Sequence, residues 1–164
     1  LEVIEAKWLF DLNADQIEII VQPQSIIHSL VQFTDGSMKA QLGLPDMKLP
    51  IQYALTYPHR LKNNFPRFDF LDYPSLTFEK PDFSAFRNLQ LAYDSLSKGG
   101  NSPAILNAAN EVAVARFLKD EIQFYQLPDV VEHALKNVGY EKSTTLDALV
   151  ASDLEARKIA ADFK

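Results

Sequence analysis

Glu2 and Glu5 stand one helical turn apart in the opening segment Leu1-Glu2-Val3-Ile4-Glu5-Ala6-Lys7-Trp8-Leu9-Phe10, whose apolar residues at 1, 4 and 8 follow a helix period. Both carboxylates can reach adjacent parts of one surface, where they could bind a divalent cation or transfer protons. The same spacing describes a solvated helix face, and a hard cation wants three or more oxygen ligands, most of which are missing nearby. His28 follows Pro23-Gln24-Ser25, with Ser29 next to it, at the start of an apolar run. Loops at strand ends carry polar site residues, but no second His or Cys stands at ligand spacing. The bare residue types therefore predict a half-buried His bonded to a backbone carbonyl rather than a metal ligand. Gly43-Leu44-Pro45-Asp46-Met47 is a tight turn into a helix, and a Met there can rest on a flat ring or, by the plainer expectation, fill the core. Asn107 and Asn110 share a face of the string Asn107-Ala108-Ala109-Asn110-Glu111, which predicts a polar network tying that helix to the Pro-rich stretch upstream. No glycine-rich phosphate loop and no Ser-His-Asp arrangement occurs.

The elements that must hold these residues follow from composition and period. The chain has 164 residues, 22 acidic against 16 basic for a formal charge of -6, 47% hydrophobic side chains and no cysteine. That fits one domain or two small ones with a real core. The acidic balance argues against a nucleic-acid or anionic-membrane partner, since clustered Lys and Arg supply phosphate affinity. Without cysteine, disulfide scaffolds, thiolate zinc sites and cysteine nucleophiles are excluded, which suits a cytoplasm. No apolar run approaches the ~20 residues of a membrane span. A helical pattern that begins on Leu1 with no capping residue reads as a chain cut within a longer protein, the alternative being a mature domain with a trimmed cap.

The predicted fold class is α+β. Three short strands, 16–21, 28–33 and 38–42, make a small, mostly antiparallel sheet with flanking helices, the last two joined through a Thr34-Asp35-Gly36-Ser37 hairpin. A helix starts at Pro45-Asp46 and ends near Tyr57-Pro58. Pro58, Pro66, Pro74 and Pro81 then recur among aromatics, predicting an extended linker arm over 58–82. Four amphipathic helices follow, over 84–98, 104–119, 127–137 and from Thr144 or Thr145 onward, with short connections that predict a four-helix bundle. The expected division is 1–57, 58–82 and 83–164.

Four strings in one order, Leu1-Glu2-Val3-Ile4-Glu5-Ala6, Pro23-Gln24-Ser25-Ile26-Ile27-His28-Ser29, Gln41-Leu42-Gly43 with Pro45-Asp46-Met47, and Leu106-Asn107-Ala108-Ala109-Asn110-Glu111, resemble the 1-deoxy-D-xylulose 5-phosphate reductoisomerase family. The resemblance covers the whole chain but only the C-terminal part of such an enzyme. It implies that the NADPH-binding domain, two further acidic metal ligands, the substrate-phosphate serines and the active-site lid precede Leu1. It further implies rearrangement of a phosphorylated ketose and NADPH reduction of the product to 2-C-methyl-D-erythritol 4-phosphate, in the non-mevalonate route to isoprenoids. Mg²⁺ or Mn²⁺ would be the Lewis acid.

By the same resemblance Glu2 is a metal ligand that also touches substrate, Ser25 and His28 line the site, and Met47 packs near the nicotinamide. The sheet would supply a homodimer contact, and the location would be cytoplasmic in a bacterium or plastid in a eukaryote. One departure is Gln22, where many relatives place His. The isolated segment would be inactive. A stand-alone oligomerisation or binding module that kept the scaffold without catalysis is the competing reading.

Overall fold

Small residues decide how the helices pack. In the computed structural model, which describes residues 1–164, α1 spans Glu2–Phe10, β1 Ile27–Gln32, β2 Met38–Leu42, α2 Lys48–Thr56, α3 Arg87–Lys98, α4 Ser102–Phe117, α5 Leu127–Asn137 and α6 Leu146–Asp162. Ala108, Ala109 and Ala113 of α4 and Ala156 and Ala160 of α6 are fully buried, so the two backbones approach closely. Val130, Val131 and Ala134 of α5 close the same core, with Ala92 of α3 beside them. The four helices pack as a bundle, as their periodicity predicts.

The punctuation that starts and stops these helices is visible in the side chains. Pro103 and Pro128 sit in first turns, where a missing N–H costs nothing. Thr145 caps α6 by accepting from the Ala148 N–H at 3.2 Å. The helix expected from residue 84 starts three positions later, because Asp82 Oδ1 accepts from the Ser84 and Ala85 N–H groups and from the Ser84 hydroxyl, holding a turn there. Arg87 then ties α3 to α5 with bonds of 2.6 Å each to Asp129 and Glu132.

Arg157 of α6 donates to Asp153 and to Glu111 of α4. The hydrogen bond from Arg157, then its charge, hold the Glu111 carboxyl below the usual range; Lys136 does the same to Glu132, aided by Arg87. A carboxyl with a lowered folded pKa contributes stability that is complete above its ordinary value of about 4.3 and is lost as pH falls through the folded one. Arg157→Leu is therefore expected to lower stability near neutral pH by under about 1 kcal/mol, because the pairs are solvent-exposed. Denaturation midpoints of variant and parent should converge as the pH is lowered below about 4.

Two compact units emerge, one of Leu1–Glu18 with Asp82–Lys164 and one of Ile19–Pro81. The expected division places α1 with the hairpin in 1–57, whereas the contacts group it with the bundle helices. In the structure Ile4 of α1 packs on the helical core, and the Tyr93 hydroxyl of α3 donates to the Ile17 carbonyl at 2.9 Å. No helix is long and apolar enough to cross a membrane.

In the second unit β1 and β2 pair antiparallel, and Phe33 to Ser37 make the turn. Only Gly36 has positive φ (85°); Asp35 instead accepts from the Ser37 N–H and hydroxyl. The expected strand 16–21 does not form. Ala14–Gln16 is a single 3₁₀ turn, and only Val21 pairs, exchanging both backbone bonds with Glu79. Its partner lies past the hairpin and α2, beyond the reach of local pattern. Between α2 and α3 there is no helix and no strand beyond that bridge, in keeping with the four prolines. Its aromatics meet one another, Phe68 lying 4.8 Å from Phe70 and 5.5 Å from Tyr73 between ring centroids.

Candidate functional site

A proline flanked by two glutamines shapes the loop ahead of β1. Gln22 Oε1 accepts from the Ile26 N–H at 2.7 Å and from the Ile27 N–H at 3.3 Å, while its Nε2 donates to Gln24 Oε1 at 2.5 Å. Gln24 Oε1 also accepts from the Thr77 N–H, and Gln24 Nε2 donates to the Thr77 hydroxyl. The Ser25 N–H bonds back to the Gln22 carbonyl, and Ser25 itself is left-handed at φ 52°. A non-glycine residue in that region is held there by its surroundings and turns its side chain in a direction extended backbone would not allow.

His28 is the extra residue of a β-bulge. Ile27 pairs with Leu42 and Ser29 with Gln41, so the ladder slips by one residue at the histidine. A bulge bends the strand and re-aims the side chain it carries. The imidazole is exposed and makes no hydrogen bond within the protein, which corrects the expected half-buried ring on a carbonyl. Gly43 borders it: a Cβ there would lie 3.6 Å from His28 Nε2. Ser25 is exposed as well. Ser25 and His28 thus flank Ile26, which is fully buried, and Ile27. They are two unpartnered polar side chains on a pinned backbone.

Met47 is the residue before α2 and is 68% exposed, so it does not fill the core. α2 buries none of its own residues and therefore offers no interior for the thioether. Beside it, Asp46 accepts from the Lys48 N–H, which with the Lys48 ammonium holds the Asp46 carboxyl below its usual range. Ser25, His28 and Met47 all belong to the unit of Ile19–Pro81.

Glu2 belongs to the other unit, at the first turn of α1 with Glu5. Both are exposed and neither forms an ion pair, whereas Val3 between them is buried and anchors the helix. An exposed, unpaired carboxylate has the hard-oxygen chemistry that Mg²⁺ and Mn²⁺ take. It fits as one ligand; no three His, Asp or Glu of this chain gather to hold an ion by themselves.

Asn107 does not do what its spacing suggested. It is half-buried and donates to Glu111 at 3.1 Å, and Glu111 in turn takes Arg157, so the network joins α4 to α6. The Pro-rich segment makes its own side-chain bonds, Thr77 to Gln24 and Asn63 to Gln52. The role of Gln22 and Thr77 in holding Ser25 was not legible from the residue string. Its one local signal is the Gln-Pro-Gln order, which places two long amides on either side of a residue that has no N–H.

The chain is similar throughout to known proteins. The model of the family described as DXP reductoisomerase C-terminal domain matches residues 42–159. The 1-deoxy-D-xylulose 5-phosphate reductoisomerase of Bacteroides fragilis is 58% identical over 162 residues, 99% of this chain and 42% of that protein. That of Acetivibrio thermocellus is 51% identical over 163 residues, 99% and 43% respectively. Among solved structures, the Zymomonas mobilis enzyme in complex with NADPH superposes with a TM-score of 0.89 at 42% identity, covering 98% of this chain and 42% of that one. A DOX-P reductoisomerase bound to NADPH, fosmidomycin and magnesium gives 0.87 at 38% identity, covering 97% and 41%. The chain therefore spans about two fifths of the length of the relatives it matches.

Proposed function

The chain belongs to the 1-deoxy-D-xylulose 5-phosphate reductoisomerase family, and from that premise we propose that it is the C-terminal part of an enzyme that converts 1-deoxy-D-xylulose 5-phosphate to 2-C-methyl-D-erythritol 4-phosphate with NADPH. The observation that carries the reading is the pair Ser25 and His28, held on pinned backbone with exposed side chains that no protein group satisfies. Side chains so placed are ready for a polar ligand such as a sugar phosphate.

Glu2 is then one ligand of a divalent cation, Mg²⁺ or Mn²⁺, and touches substrate beside it. The bound ion supplies Lewis-acid polarisation of substrate oxygens. Ser25 donates a hydroxyl to substrate, His28 offers a ring nitrogen as donor or acceptor, and Met47 lays an exposed thioether against the nicotinamide face. The solved relatives bound to NADPH and to magnesium support these cofactors. A homodimer through the hairpin is in keeping with Leu30, Val31, Phe33 and Met38, all partly open to solvent on β1, β2 and their turn. A cytoplasmic location fits a bacterial member of the family.

The test is NADPH oxidation on addition of 1-deoxy-D-xylulose 5-phosphate and Mg²⁺. The full-length protein containing this chain is expected to turn over within the ordinary range of about 1–1000 per second and to lose activity with a chelator. The 164 residues alone are expected to give none, since one carboxylate does not complete a metal site. A full-length protein without turnover would favour a binding module and overturn the proposal.

A further inference from the structure

Of the groups around Ser25 and His28, one has no role yet. Gln22 is half-buried and makes three hydrogen bonds, two of them to the backbone of the residues that lie between Ser25 and His28. We propose that Gln22 is a positioning residue for substrate binding: by accepting from the Ile26 and Ile27 N–H groups and donating to Gln24, it fixes the loop that presents Ser25 and the bulge that presents His28. This inference rests on the functional reading above, in which those two side chains meet the substrate.

The geometry shows what the amide does at this position. Ile26 follows a left-handed residue and Ile27 opens the ladder opposite Leu42, and the N–H groups of both go to a side chain rather than to a backbone carbonyl. One acceptor oxygen satisfies both. The donor half of the same amide points at Gln24, whose oxygen also receives the Thr77 N–H. The clasp thereby joins the loop to the strand-like segment that carries Glu79, already bridged to Val21. Ile26 is completely buried under it, and the Gly43 N–H bonds to the Ile26 carbonyl, so a shift of the loop moves the floor next to His28 as well. A misplacement of about 1 Å at binding groups can cost on the order of a hundredfold in efficiency.

The test compares Gln22→Leu with Gln22→Glu in the full-length protein. Leucine removes acceptor and donor. Glutamate retains the acceptor for the two amides, but its second oxygen faces Gln24 Oε1, so the Gln24 amide must turn over to donate to it and gives up the Thr77 N–H. In Gln22→Leu, hydrogen exchange at the Ile26 and Ile27 amides should accelerate by about tenfold, and KM for 1-deoxy-D-xylulose 5-phosphate should rise by roughly 10–100-fold with kcat and NADPH affinity changed far less. Gln22→Glu should restore the exchange protection of the two amides and a KM clearly below that of Gln22→Leu. A loss of folded protein would instead lower kcat at constant KM, so that pattern overturns the role. Accelerated exchange with an unchanged KM overturns it as well, while the parent enzyme's turnover leaves the functional reading standing. A parent protein that turns over nothing overturns that reading and the role of Gln22 with it.

Discussion

Glu2→Gln in the full-length protein is expected to lower turnover by about 10²–10³-fold and to leave NADPH affinity within about twofold of the parent. The carboxylate is exposed, free of ion pairs and at the first turn of α1, so the amide changes charge without disturbing packing; the buried Val3 and Ile4, which packs on the helical core, are untouched. A surface change of this kind alters folding stability by no more than about 0.5 kcal/mol. In the proposed role it removes an anionic oxygen from a cation that needs several, and even outer-shell partners of a metal are worth about 10–100-fold. Raising the concentration of Mg²⁺ should restore part of the rate, because the deficit lies in the metal's occupancy and placement. Steady-state rates across a metal titration, with NADPH affinity measured by fluorescence, give the answer. Unaltered turnover at limiting metal would remove Glu2 from the set of ligands.

How much of this was legible in the residue string depended on how far each feature reaches along the chain. The bundle helices were readable because their determinants are local: a 3.6-residue period, Gly99 at one end, Pro103 and Pro128 in first turns, Thr145 as a cap. The hairpin was readable from Asp35-Gly36 for the same reason, although only the glycine takes the positive φ. The strand expected at 16–21 failed because β structure needs a partner, and the one partner Val21 finds is Glu79. Exposure at His28 and Met47 was missed on the same ground. Whether a residue beside an apolar run is covered depends on the bulge in β1 and on α2 burying nothing, and neither is written in the residues adjacent to them. The four motif strings carry Ser25, His28 and Met47 as site expectations, and all three lie in one unit with their side chains open.

Gly99 and Gly100 form a pair that looks uniform in sequence and is not in space, and substituting each by alanine should separate two costs. Both have positive φ, 69° and 58°, so either alanine pays for an unfavourable backbone region by about 1–3 kcal/mol. At Gly99 an added Cβ meets nothing within 4 Å. At Gly100 it overlaps the Glu141 carbonyl oxygen and presses on the Tyr140 ring, and the backbone there has little room to yield. The next residue, Asn101, is completely buried; its N–H donates to that same Glu141 carbonyl at 3.0 Å, and its side chain accepts from the Glu141 N–H and donates to Gly139 and Ser152. Pushing Glu141 away therefore breaks the bonds that lock the α5–α6 connection onto the start of α4, each worth about 1 kcal/mol. Gly100→Ala is expected to destabilise the helical unit by about 4 kcal/mol or more, and Gly99→Ala by the backbone cost of about 1–3 kcal/mol alone. Chemical denaturation followed by helix signal would measure both. Equal costs at the two positions would mean that backbone conformation alone, and not the close approach of Glu141, requires glycine at position 100.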